Sequence, residues 1–122
     1  MRKRTLSRKE RLALDHFAEK VEEVLGDSLK QLVLFGSRAR GDHEPDSDLD
    51  ILVIVEQETW DVRDAVSLVA SRVSLDEEIL VSPKVIGQTR WDEMRGFNLH
   101  QNIQREGLKL LLEEGPFRLS PL

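Results

Sequence analysis

Asp48 and Asp50, separated by one apolar residue at the start of the run Ile51-Leu-Val-Ile-Val55, have the types and spacing to do chemistry. Side chains alternate along an extended strand, so the two carboxylates project to one face while Leu49 points into a core. Like charges that close together are costly unless a cation sits between them. A hard, oxygen-seeking ion such as Mg²⁺ fits, because it binds through one or two carboxylates plus substrate phosphates. Ten residues before Asp48, the run Leu32-Val-Leu-Phe35 ends in Gly36-Ser37. A residue without Cβ lets backbone N–H groups approach a ligand closely, and the serine adds a small hydroxyl; this is an ending suited to phosphate. The two halves together describe a holder for a nucleoside triphosphate and its metals.

The elements that must position these residues can be read from apolar periodicity. Leu32–Phe35 and Ile51–Val55 are short, apolar and bounded by turn residues, as buried strands are. Before them, Ser7-Arg8-Lys9-Glu10 is a capping box. Leu14, Phe17, Val21, Val24 and Leu25 then recur at helical spacing up to Gly26. Thr59 caps a helix to about Val73 with the stripe Val62, Val66, Val69, Val73, and Trp60 packs nearby. A third strand is expected from Glu78 to Ile86, with a bulge or edge at Ser82-Pro83. Thr89 should cap a helix carrying Trp91 and Met94, a second short helix should run from Asn98 to near Gly107, and a fourth strand is possible over Leu108–Leu112. The reading is an α/β fold: a small mixed β-sheet with helices packed on one face. Residues 1–6 form a basic flexible tail, 7–115 a single domain and 116–122 a C-terminal tail, with Gly115-Pro116 ending order.

Whole-chain properties narrow the function. A chain of 122 residues buries one sizeable core. A net charge of −5 argues against general nucleic-acid binding. With no cysteine, thiolate metal sites and cysteine nucleophiles are excluded, so metal ligands must come from Asp, Glu or His. No apolar run approaches the roughly 20 residues of a membrane span. The start Met1-Arg2-Lys3-Arg4 lacks the apolar stretch of a secretory signal, so the expected location is cytoplasmic. Homo-oligomerisation through a sheet edge or the first helix is possible but unmarked.

Gly36-Ser37, ten intervening residues and Asp48-Leu49-Asp50 resemble the signature of the nucleotidyltransferase superfamily built on the DNA polymerase β palm, in its smallest stand-alone form. Arg38, Arg40, Gly41, Asp46 and Ser47 also stand where that family has such residues. The run from Asn102 to Leu108 is similar to the closing segment of some of its small members. The resemblance spans residues 28–112. It implies a polymerase β palm-like fold and two Mg²⁺ ions held by Asp48 and Asp50. It also implies a triphosphate gripped by Gly36 and Ser37, with Arg38 and Arg40 either on phosphate or as exposed loop charges. It calls for a third catalytic carboxylate on the next strand, for which Glu78, then Glu77 and Asp76, are the available acids. On a strand in that register Glu78 shares a face with Leu80 and Ser82 and reaches the site only from the edge.

By resemblance, such minimal domains transfer AMP from ATP to a separate protein and serve as the antitoxin of a toxin-antitoxin pair, with a HEPN-type toxin as partner. The alternative is a non-catalytic module of the same fold that binds nucleotide or a partner. Asp42, His43, Glu44 and Asp46 read as turn residues around Pro45, with Asp46-Ser47 able to brace the acids. Arg11 and His16 spell the R-x4-H pattern of HEPN ribonucleases but sit as polar residues on a helix face, and His100, Arg105 and Lys109 carry no assigned role.

Overall fold

The structure is a computed structural model that describes residues 6–41, 48–111 and 117–122. The expectations for Met1–Arg4, for Asp42 to Ser47, and for Leu112, Gly115 and Pro116 lie outside the described residues. Helix α1 (Arg8–Leu25) starts where Ser7 Oγ accepts the Glu10 N–H at 3.1 Å and stops at Gly26, whose φ is +54°. Then come β1 (Leu29–Phe35), a single helical turn α2 (Ser37–Arg40), β2 (Leu49–Val55), and α3 (Trp60–Glu77), capped by the Thr59 hydroxyl on the Val62 N–H. The chain finishes with β3 (Val81–Gly87), α4 (Gln88–Glu93), α5 (Asn98–Glu106), β4 (Leu108–Leu111) and β5 (Arg118–Pro121). The sheet order is β3-β2-β1-β4-β5; β2 and β3 run parallel through the α3 crossover and the other pairs are antiparallel.

Alternation along β2 divides the core. Leu49, Ile51, Val53 and Val55 face α1 and α3, meeting Leu14, Phe17, Val21, Val66, Val69 and Val73. Leu52 and Ile54 face the other way, onto Trp91, Ile103 and Ile86. The two long helices thus share one face as expected, and the short α4 and α5 add cover to the opposite face. Twelve of these side chains are aliphatic and fully enclosed strand or helix residues, each worth about 1.5–3 kcal/mol of burial.

Three elements differ from expectation. Helix α3 runs past Val73 to Glu77, so β3 begins at Val81 and Glu78 lies outside it as the left-handed cap of α3, φ +54°. The apolar run Ile79-Leu80-Val81 read as one strand; instead Ser74 Oγ, bonded to the Ala70 carbonyl at 2.7 Å, accepts the Val81 N–H at 2.9 Å and fixes the strand start there. Helix α4 begins directly after Gly87, leaving Thr89 inside it rather than as its cap. The segment beyond Gly115, read as a tail, contributes β5, and Phe117 before it is buried beneath the Arg11 guanidinium, 5.2 Å from the ring centroid. His16 Nδ1 lies 3.3 Å from Glu77 Oε1 on α3. Arg11 and His16 therefore both serve the packing of α1. Among the described residues no helix is long and apolar enough to cross a membrane.

Glu58 ties the far end of β2 to its neighbours. It accepts the Gly87 N–H at 3.0 Å, meets Arg90 at 2.9 Å and also pairs with Arg63. Burial acts to raise its pKa, but the Gly87 N–H and the two guanidiniums outweigh it and hold the carboxyl below the usual range. A depressed carboxyl stabilises the fold above its unfolded-state pKa, and that contribution is lost as pH falls through the folded-state pKa. Glu58→Gln is therefore expected to lower stability by about 1 kcal/mol at neutral pH. In denaturant titrations the gap from wild type should close in acid.

Candidate functional site

The site forms where the end of β1 meets the start of β2. Phe35 pairs with Asp50 across the antiparallel ladder, so the chain leaving β1 through Gly36 passes directly beside the Asp50 carboxylate. A Cβ on Gly36 would lie 2.5 Å from Asp50 Oδ2, and Gly36 adopts φ +78°. Both facts require glycine. Gly36→Ala is expected to destabilise the protein by about 1–2 kcal/mol through backbone strain alone. By pushing Asp50 aside it should also weaken nucleotide-dependent function about 100-fold, read by thermal melting beside an activity or binding assay.

Asp48, Asp50 and the alternate residues Leu52 and Ile54 share the sheet face covered further along by α4 and α5. The like charge of Asp48 and partial enclosure leave Asp50 poorly accommodated as an anion. Burial first, then Asp48, raises its pKa, against the opposing pull of Arg38 and Arg40. Two carboxylates on one open face form a donor set that would suit a hard divalent ion.

The other candidate residues are placed less uniformly. Ser37 opens α2, directly after Gly36, and is partly exposed. Arg38, expected on phosphate or exposed on the loop, is instead enclosed: its side chain is 0% exposed, its Nη1 lies 2.8 Å from Glu10 Oε2 of α1 and its Nε donates to the Asp48 carbonyl at 3.3 Å. The single turn of α2 explains this, since consecutive residues leave a helix about 100° apart and Arg38 falls on the side facing α1. Arg40 stays on the rim, half-exposed, 3.3 Å from Glu106 at the end of α5. Glu78 is not brought to the aspartates; its side chain is 85% exposed and points to Lys9 of α1 at 4.0 Å. Glu77 faces His16, and among the described residues no third His, Cys, Asp or Glu joins Asp48 and Asp50 in a metal-holding group.

Two participants escaped the sequence reading. Glu10 looked like the reciprocal half of a capping box, yet its carboxylate is buried against Arg38; an acid three residues after a cap gives no sign of a partner 28 positions away. Ser82 donates to Asp48 Oδ2 at 3.3 Å. Of the bulge or edge expected at Ser82-Pro83, the edge is found: β3 is an edge strand, where the proline is tolerated, and it pairs with β2 in continuous register through Asp50↔Ser82 and Ile51↔Pro83 with no bulge. His100 is buried and stacked on Trp91, ring centroids 4.2 Å apart, which gives it a packing role.

Residues 14–110 match the family described as Nucleotidyltransferase domain. The chain is 38% identical over 77 residues to the putative protein adenylyltransferase MJ0141 of Methanocaldococcus jannaschii, covering 62% of this chain and 78% of that protein. Its fold is similar to a putative nucleotidyltransferase from Sulfolobus solfataricus, with a TM-score of 0.61, 23% identity, and coverage of 90% of this chain and 86% of that one. It is also similar to a chain of a toxin-antitoxin crystallised with AMP-PNP, with a TM-score of 0.51, 18% identity, and coverage of 78% and 70%.

Proposed function

The chain belongs to the nucleotidyltransferase domain family, and from that premise we propose that it transfers AMP from ATP to a separate protein, as the antitoxin of a toxin-antitoxin pair whose toxin is of the HEPN type. The observation that carries the reading is the disposition of Asp48 and Asp50 on one face beside Gly36, with Asp50 made a reluctant anion by burial and by its neighbour. The relatedness to a putative protein adenylyltransferase supports a protein as acceptor, and the toxin-antitoxin neighbour supports a toxin as partner.

In this reading Asp48 and Asp50 would hold two Mg²⁺ ions, which would supply positive charge to the triphosphate and the departing pyrophosphate. The protein's own part is positional. The backbone of Gly36 and the hydroxyl of Ser37 orient the phosphate tail, and Arg40 on the rim adds charge from the side of α5. Arg38 contributes indirectly, by fixing the Asp48 carbonyl and so the start of β2. The acceptor hydroxyl attacks the α-phosphorus, an O–P bond forms, the bond to pyrophosphate breaks and the hydroxyl proton passes to solvent water. A non-catalytic, nucleotide-binding role is the second reading, favoured by Ser82 rather than an acid standing beside Asp50.

The test is transfer of label from α-³²P-ATP to a co-expressed protein partner in the presence of Mg²⁺. Label on the partner, absent with Asp48→Asn, supports the enzyme. Mg²⁺-ATP binding without transfer to the co-expressed partner supports the binding module.

A further inference from the structure

We infer that Ser82 occupies the third ligand position of this site and holds Asp48 in place for the metal; this rests on the proposed reading of Asp48 and Asp50 as metal-binding. The inference starts from register. In a parallel ladder, paired residues send their side chains to the same face, so the Asp50↔Ser82 pairing puts the Ser82 hydroxyl on the face that carries both carboxylates. Ser82 is partly exposed, and its hydroxyl donates to Asp48 Oδ2 at 3.3 Å. The acids considered for this place are elsewhere: Glu78 faces Lys9 in solvent, Glu77 faces His16 and Asp76 is exposed on α3. The next residue of β3 on the same face is Lys84, which is exposed, and Ile86 beyond it is already core.

A hydroxyl here has two effects. Its hydrogen bond restrains the Asp48 side chain and occupies one carboxylate oxygen, leaving the other for a cation. It also adds no charge, so the described residues offer two formal negative charges where a third carboxylate would make three. Metal affinity follows ligand charge count. The site should therefore bind a free divalent ion weakly and bind it well only when a nucleotide's phosphates supply the remaining oxygens.

The experiment is titration of Mn²⁺ alone into the full chain, followed by electron paramagnetic resonance, with melting curves taken with and without Mn²⁺. Ser82→Asp is expected to tighten Mn²⁺ about tenfold. Its metal-free melting temperature should fall, because three acids then crowd one face, and Mn²⁺ should restore it. Ser82→Thr, which keeps the hydroxyl, should bind as wild type does, whereas Ser82→Ala should bind about tenfold more weakly. A folded Ser82→Asp with wild-type Mn²⁺ affinity overturns the inference. If Ser82→Asp does not fold, Ser82→Ala binding Mn²⁺ as well as wild type overturns it, and weaker binding with retention in Ser82→Thr supports it. Failure of both wild type and Ser82→Asp to bind Mn²⁺ contradicts the metal reading itself and this inference with it.

Discussion

Replacing Asp50 by Asn is expected to make the metal-free protein more stable while abolishing the proposed Mg²⁺-dependent reaction with ATP. Burial and the Asp48 charge hold the Asp50 carboxyl above its ordinary range. A carboxyl whose folded-state pKa is raised favours the fold when protonated. That contribution is complete below the unfolded-state pKa and is lost as pH rises through the folded-state pKa, so at neutral pH the ionised group opposes folding. Asn removes the charge and keeps the shape, and a small gain in stability at neutral pH is expected from relieving the buried charge and its repulsion by Asp48, limited by solvent screening of a partly exposed group. The gain should shrink as pH is lowered. Added Mg²⁺ should stabilise wild type and leave Asp50→Asn unchanged. Transfer activity should fall about 10³-fold or more in the same variant, as expected when a ligand that organises phosphoryl transfer is lost. Melting curves across pH, with and without Mg²⁺, and initial rates on the same preparations check both halves.

Arg38→Ala carries the largest expected loss of stability. The guanidinium is fully enclosed, it meets the Glu10 carboxylate at 2.8 Å, and that carboxylate's own side chain is only 11% exposed. Removing one member of a buried ion pair strands the other charge, at about 3–5 kcal/mol. For a domain of this size that is roughly a 10 °C fall or more in melting temperature. If the pair's role were only to cancel its own desolvation, an apolar double replacement, Arg38→Met with Glu10→Leu, would recover most of the stability. Activity should not recover with it. The Arg38 Nε also holds the Asp48 carbonyl, so the double variant should fold yet show a reduced kcat. Chemical denaturation of the single and double variants, with kinetics of the folded double variant, separates the structural contribution from the positional one.

How much of this was legible in the sequence follows from which forces are local. Ser7, Gly26 and Thr59 act on their own helices, and those boundaries were readable. The apolar alternation of β2 and the glycine beside Asp50 likewise needed only strand periodicity and the absence of a Cβ. Features set by distant partners were not readable. The direction of Arg38 depends on α1, the start of β3 depends on the Ser74 hydroxyl, and β5 exists only because β4 offers it an edge. Glu78 illustrates the cost of a misplaced strand boundary. Three residues of apolar sequence suggested a strand, and placing its start at Glu78 moved an exposed helix cap into a catalytic position. With the strand starting at Val81, the residue paired with Asp50 is Ser82.

The most direct measurement of the central claim is calorimetric titration of ATP into the protein with and without Mg²⁺, beside the double variant Asp48→Asn, Asp50→Asn. Binding that requires Mg²⁺ in wild type and disappears in the folded double variant is the predicted result. Equal ATP binding by the two proteins, or binding indifferent to Mg²⁺, would contradict the assignment of Asp48 and Asp50 to the metal-nucleotide site.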